Sequence, residues 1–193
     1  MRLPAIVLLA ASFLVAGCAP SAGPTLEHHL ENPLFGYVYY VEMTQHLTNL
    51  QINEDPMLED EAFKTRLEDL KADAMRRMQA EDARIKEGRI GTFVRASDPV
   101  AGQVLVLDGM LYLSPDFVSP PGSRVRVYLS TVVDPRDAAF PDPTAVEVGL
   151  LTSNHGDQAF RLPKLENPEQ YRTVIIHDEG LQRTLGFAQL REA

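Results

Sequence analysis

The chain has 193 residues, of which 45% are hydrophobic, and 27 acidic against 18 basic side chains give it a formal net charge of −9. Such an acidic balance disfavours nucleic acid and anionic lipid surfaces as partners. A single cysteine, Cys18, excludes an internal disulfide and a multi-thiolate metal site, and no haem-attachment motif is present, so no cofactor is expected.

Residues 1–17 carry one positive charge, Arg2, then an apolar run from Leu3 to Ala16. The run is too short to span a bilayer as a helix but suits the central region of an export signal. Its end, Leu14-Val15-Ala16-Gly17-Cys18, resembles the lipobox of bacterial lipoproteins. That resemblance implies a signal peptide over 1–17, cleavage before Cys18 and lipidation of its thiol; several acyl chains together anchor stably. Ala19 in place of an acid implies, by the same pattern, a lipid-anchored protein at the outer membrane, facing the periplasm or exterior. Residues 18–31 read as a lipidated tether, with two prolines and no periodicity, and His28-His29 within it read as solvated.

Residues 32–87 read as a helical hairpin. Asn32-Pro33 and Asp55-Pro56 each place a side-chain acceptor before a proline, a helix-start signal. The first helix runs from about Pro33 to Ile52, with Phe35, Tyr39, Met43, Leu47 and Leu50 on one stripe. Its centre, Tyr37–Val41, also satisfies strand preferences, which leaves helix or strand open there. The second runs from Pro56 to about Glu87, with Leu58, Phe63, Leu67, Leu70, Ala74, Met78 and Ile85 as its stripe and Gly88 as its stop. Asp60–Lys64, Asp73–Arg77 and Asp82–Lys86 have the spacing of an exposed, ion-paired face.

From residue 88 to 193 short apolar runs alternate with Gly, Pro and Asp clusters. Eight strands are expected, over 91–95, 102–107, 110–114, 124–132, 145–151, 159–162, 171–177 and 184–190. Asp108-Gly109 supplies a two-residue hairpin turn. The fold class is therefore α+β: a helical hairpin followed by an antiparallel β-sandwich or barrel of about eight short strands.

Several motifs in this half resemble the DM-thirteen domain family. They are Gly102-Gln103-Val104, the segment "PPGSRVRVYLS" from Pro120 to Ser130, "HGDQAFRLP" from His155 to Pro163, "YRTVIIH" ending at His177, and "LGFAQL" from Leu185 to Leu190. The resemblance implies a small β domain of extracellular proteins, sometimes described as electron-transferring through a cysteine at the end of the penultimate strand. His177 takes that place here, and Arg124 stands where the family tends to carry an acid. Thiol redox chemistry needs a thiolate, and the resemblance to a lipobox assigns Cys18 to lipid.

The segment "VIIHDEG" holds the main candidates, His177 and Asp178, with His155 and Asp157 in a second turn. Were the two turns to meet, these four would form a small metal or acid–base cluster; His177 and His155 are the candidate ligands. Gly122 and Gly156 suit turns needing positive φ, and Gln158 a hydrogen bond to strand backbone. The loop with Asp134, Asp137 and Asp142 lacks calcium-ligand spacing and reads as a stiff surface loop. No nucleophile elbow or phosphate loop is present. The sequence thus points to a non-enzymatic, membrane-anchored lipoprotein whose β domain binds an envelope protein or glycan. The alternative is a redox or metal-dependent accessory protein using His177 in place of the family cysteine.

Overall fold

The computed structural model describes residues 23–193; the export signal and Cys18 lie outside the described residues. The described residues open with three helices, α1 (Leu26–Leu30), α2 (Pro33–Ile52) and α3 (Glu61–Lys86). Nine strands follow: β1 (Arg89–Arg95), β2 (Gln103–Leu107), β3 (Met110–Leu113), β4 (Val125–Ser130), β5 (Val146–Leu150), β6 (Gln158–Arg161), β7 (Thr173–Asp178), β8 (Arg183–Gln189) and β9 (Arg191–Glu192). No described helix is long and apolar enough to cross a membrane.

Helix α2 forms as its sequence dictates. Asn32 Oδ1 accepts from the Leu34 amide at 3.0 Å, and Pro33 occupies the first turn, where its missing N–H costs nothing. Tyr37–Val41 is helical. Asp55-Pro56, by contrast, starts only a 3₁₀ turn over Pro56–Glu59; Asp60 then caps α3 by accepting from the Ala62 amide at 2.9 Å. The helix is shorter than expected because two acceptors compete to start it, and Asp60 serves as cap instead of pairing with Lys64. On α2 the buried side is turned from the expected stripe: Leu34, Tyr40 and Leu47 are buried, of which only Leu47 belongs to it. On α3 Leu67 and Ala74 of the expected stripe are buried, whereas Leu70 is 49% exposed.

Residues 26–30, read as tether, form the short helix α1, capped by Thr25. The root of the hairpin packs on the barrel: Leu34 and Ile85 cover Leu105, Leu107 and Tyr112 on the outer face of β2 and β3. Asn32 locks this joint, since its Nδ2 donates to the Leu113 carbonyl at 2.8 Å while its Oδ1 caps α2.

The strands form one antiparallel sheet in the order β5-β4-β7-β8-β1-β2-β3-β6, with β9 beside β1. Its two end strands, β5 and β6, touch where Phe160 lies against Gly149 so closely that a Cβ there would sit 2.9 Å from the ring. The sheet is thus a nearly closed barrel, and all eight expected strands are present. Asp108 (φ 50°) and Gly109 (φ 74°) make the hairpin turn with both residues left-handed, as a type I′ turn requires. The interior is filled from alternate positions: Val104, Leu111, Leu113, Phe117, Val127, Leu129, Val174 and Ile176.

Helix α3 ends at Lys86, just before Gly88, as expected. Gly156 has the expected positive φ (84°), but Gly122 does not. Gly122 and Gly88 are needed for space. A Cβ on Gly88 would lie 2.7 Å from Leu105 Cδ1, and one on Gly122 would lie 2.3 Å from Asp178 Oδ2.

Candidate functional site

Strand β7 is buried at all six positions, although a barrel strand ordinarily shows one face to solvent. Val174 and Ile176 point into the barrel. Ile175 and His177 point outward and are covered by residues 131–145, the connection between β4 and β5. Expected as a surface loop, this segment crosses the outer face of the sheet as a strap. Its Val133 carbonyl accepts from Thr173 Oγ1 (3.1 Å) and Gln189 Nε2 (2.9 Å), and Ser130 Oγ donates to Asp142 Oδ2 at 2.7 Å. Arg136, paired with Asp134, stacks its guanidinium 5.4 Å from the centre of the Phe187 ring. Two of the loop carboxylates, Asp134 and Asp142, are therefore engaged by their own neighbours: Arg136 holds Asp134 down at about 2. Burial works to raise Asp142, but hydrogen bonds from Thr144 and Ser130 outweigh it and the net shift is downward.

Phe140 completes the cover. Its ring centre lies 4.6 Å from that of His177 and 5.2 Å from that of Tyr128, in tilted and edge-on geometry. His177 is 2% exposed, and its Nδ1 is 3.3 Å from Thr184 Oγ1. Desolvation lowers its pKa, with Asp178 and Glu179 opposing the shift through their charge. The imidazole adjoins a cavity of 260 Å³ whose walls include Ser97, Phe140, Gln182 and Arg183. A bulge between Ile176 and His177 sets this position, because β8 contributes an extra residue before Thr184 pairs with the histidine.

Asp178 is 1% exposed and serves the turn: its Oδ1 accepts from the amides of Gly180 (2.8 Å) and Leu181 (3.3 Å). Glu179 folds back onto the strap side. Its Oε1 accepts from the Tyr128 hydroxyl at 2.9 Å, and Arg126 Nε and Arg124 Nε lie 2.9 and 3.2 Å from its Oε2. The Arg126 contact is an ion pair set off the hydrogen-bond line, and Arg126 also engages Glu147. The Tyr128 hydroxyl first and the Arg126 guanidinium second hold Glu179 below the ordinary glutamate range. In return, burial and then the Glu179 bond push Tyr128 up to about 12.

The second turn is elsewhere in chemistry. His155 is exposed, its Nδ1 3.1 Å from Asn154 Oδ1. Asp157 is held by His29 of α1, whose Nδ1 lies 3.0 and 2.9 Å from its two oxygens and whose ring stacks on Phe35 at 5.1 Å. His29, read as solvated, is thus a docking residue, and Asp157 belongs to it and not to a cluster with His177. Among the described residues no group of three or more His, Cys, Asp or Glu is placed to hold a metal ion. Gln158 does bind backbone: its Oε1 accepts from the Thr152 amide at 2.9 Å and its Nε2 donates to the Ser153 carbonyl at 2.9 Å.

Residues 92–190 match the family described as electron transfer DM13, from the middle of β1 to just past β8. The chain belongs to the electron transfer DM13 family. The DM13 match covers the barrel and strap and leaves the helices outside it. No curated protein and no solved structure matches the chain. Within the DM13 barrel, the residues that sequence reasoning missed are Phe140, Arg126 and Glu179. Alternation places Arg126 and Tyr128 on one face of β4, but nothing in the sequence tells that Glu179 and the strap return to that face.

Proposed function

We propose that this DM13 protein is an envelope-anchored lipoprotein with a non-catalytic binding role, held to the membrane through lipid on Cys18 and engaging an envelope protein or glycan. The observation that carries the reading is the setting of His177. It stands where the family resemblance expects a thiol, yet aromatic rings wall it in and a hydroxyl is its only polar partner among the described residues. A resident metal does not fit this donor set, which offers one imidazole where about three ligands are needed. Thiol electron transfer has no thiol here, because the only cysteine lies in the lipobox-like segment.

The test has two arms on the full-length protein. Elemental analysis and voltammetry of the purified chain are expected to show neither a stoichiometric metal nor a reversible wave. A metal or wave lost in His177→Ala would overturn the non-catalytic reading. Fractionation of cells making Cys18→Ala is expected to move the protein from the membrane to the soluble fraction, and retention in the membrane would overturn the anchor.

A further inference from the structure

Beside the strap, a trough of 510 Å³ runs along the outer face of β1 and β8. Three guanidinium groups, Arg136, Arg172 and Arg191, stand on its walls, and among the described residues no acid lines it. This is a marked local reversal in a chain with 27 acidic and 18 basic residues. Arg136 is held in place by Asp134 and by the Phe187 ring below it. Arg172 and Arg191 are exposed, and among the described residues neither has a carboxylate partner. The nearest acid on β9, Glu192, faces the opposite way, into the crevice at the foot of the helices.

The floor is mixed: Val94 and Phe187 stand on it beside Thr92 and Gln189, and Val133 of the strap flanks them. Val94 is 45% and Val133 51% exposed. Its geometry does not depend on a ligand: Gln189 and Thr173 fix the Val133 carbonyl from below, so the wall bearing Arg136 is pinned to the sheet. A fixed concave surface of this volume, with exposed valines and a cationic rim, is of a size that organic ligands occupy. Guanidinium forks match carboxylates in a bidentate way that an ammonium cannot.

We infer that the trough beside the strap binds a carboxylate through Arg172 and Arg191, with the apolar flank of the same ligand resting on Val94 and Val133. The inference rests on the binding role proposed above. The carboxylate has two possible sources, a free organic acid with an apolar body or an acidic sugar unit of a glycan.

The experiment titrates the full-length protein with 2-naphthoate, with its neutral analogue 2-naphthamide and with a short oligogalacturonate, followed by NMR shifts of the Val94 and Val133 methyl groups. Saturable shifts with naphthoate, at least tenfold tighter than with the amide, support a free organic acid. Saturation by the oligogalacturonate alone supports the glycan source. In either case Arg172→Gln with Arg191→Gln is expected to weaken binding at least tenfold, while Arg161→Gln on the far side, an equal loss of charge, leaves it unchanged. Equal binding of acid and amide, unchanged affinity in the double variant, or no binding of either anion would overturn the inference. Such a failure would leave the fractionation and elemental results standing, so the two readings fail separately.

Discussion

Phe140→Ala tests whether the strap is what isolates His177. The ring makes two aromatic contacts, at 4.6 Å to His177 and 5.2 Å to Tyr128. Pairs of this kind contribute about 0.5–1.5 kcal/mol each beyond the area they bury, and a fully buried Phe→Ala costs about 3–5 kcal/mol. Phe140 is only partly buried, so a loss of about 2–3 kcal/mol is expected in chemical denaturation near pH 7.5. The second readout is proton binding. Burial holds the folded His177 below its ordinary value of 6.5, so between that lowered value and about 6.5 the unfolded chain carries a proton that the folded chain does not. The histidine's contribution is therefore complete above about pH 6.5 and is lost as pH falls through that window. Removing Phe140 admits water, moves the folded pKa up towards 6.5 and narrows the window. NMR titration of the imidazole reads this directly. A variant that lost less than about 0.5 kcal/mol, or whose His177 titrated as in the parent, would refute the argument that the strap seals the site.

Two further substitutions probe the joints of the fold. Asn32→Ala removes the cap on Leu34 and the donor to the Leu113 carbonyl together, at a residue 2% exposed; a loss of about 2 kcal/mol is expected, and amide exchange in α2 and α3 should accelerate more than in the barrel. Gly109→Ala meets no atom within 4 Å and pays only for its positive φ, about 1 kcal/mol. Gly122→Ala, whose Cβ would lie 2.3 Å from Asp178 Oδ2 and 2.6 Å from Val125 Cγ2, should cost more, about 2–3 kcal/mol. Thermal melts that ranked the two glycine variants the other way would contradict the steric reading of Gly122.

The sequence was informative where a feature is local. Asn32-Pro33 announces a helix because a cap and an N1 proline act within four residues, and α2 begins there. The eight main strands are legible because side-chain alternation and turn residues repeat every few positions, whereas β9, two residues long, has no period to detect. The strap carries prolines and aspartates like any surface loop; only the return of Phe140 to His177 makes it a cover, and that contact spans 37 positions in sequence. The same reason hid the pairing of His29 with Asp157, which are 128 positions apart. The candidate quartet divided accordingly: His177 and Asp178 share a strand end, but one is sealed by aromatic rings and the other is spent on its own turn.

The meeting of Phe160 with Gly149 has a bearing on how this protein behaves in company. A sheet left open would offer the backbone donors and acceptors of β5 and β6 to any extended chain nearby, the usual route to strand addition and fibrous assembly. Here those two edges face each other, and a side chain larger than hydrogen at position 149 would wedge them apart. Keeping the rim shut is therefore a matter of solubility as much as of stability, and substitutions at Gly149 should reveal themselves first as self-association at high concentration.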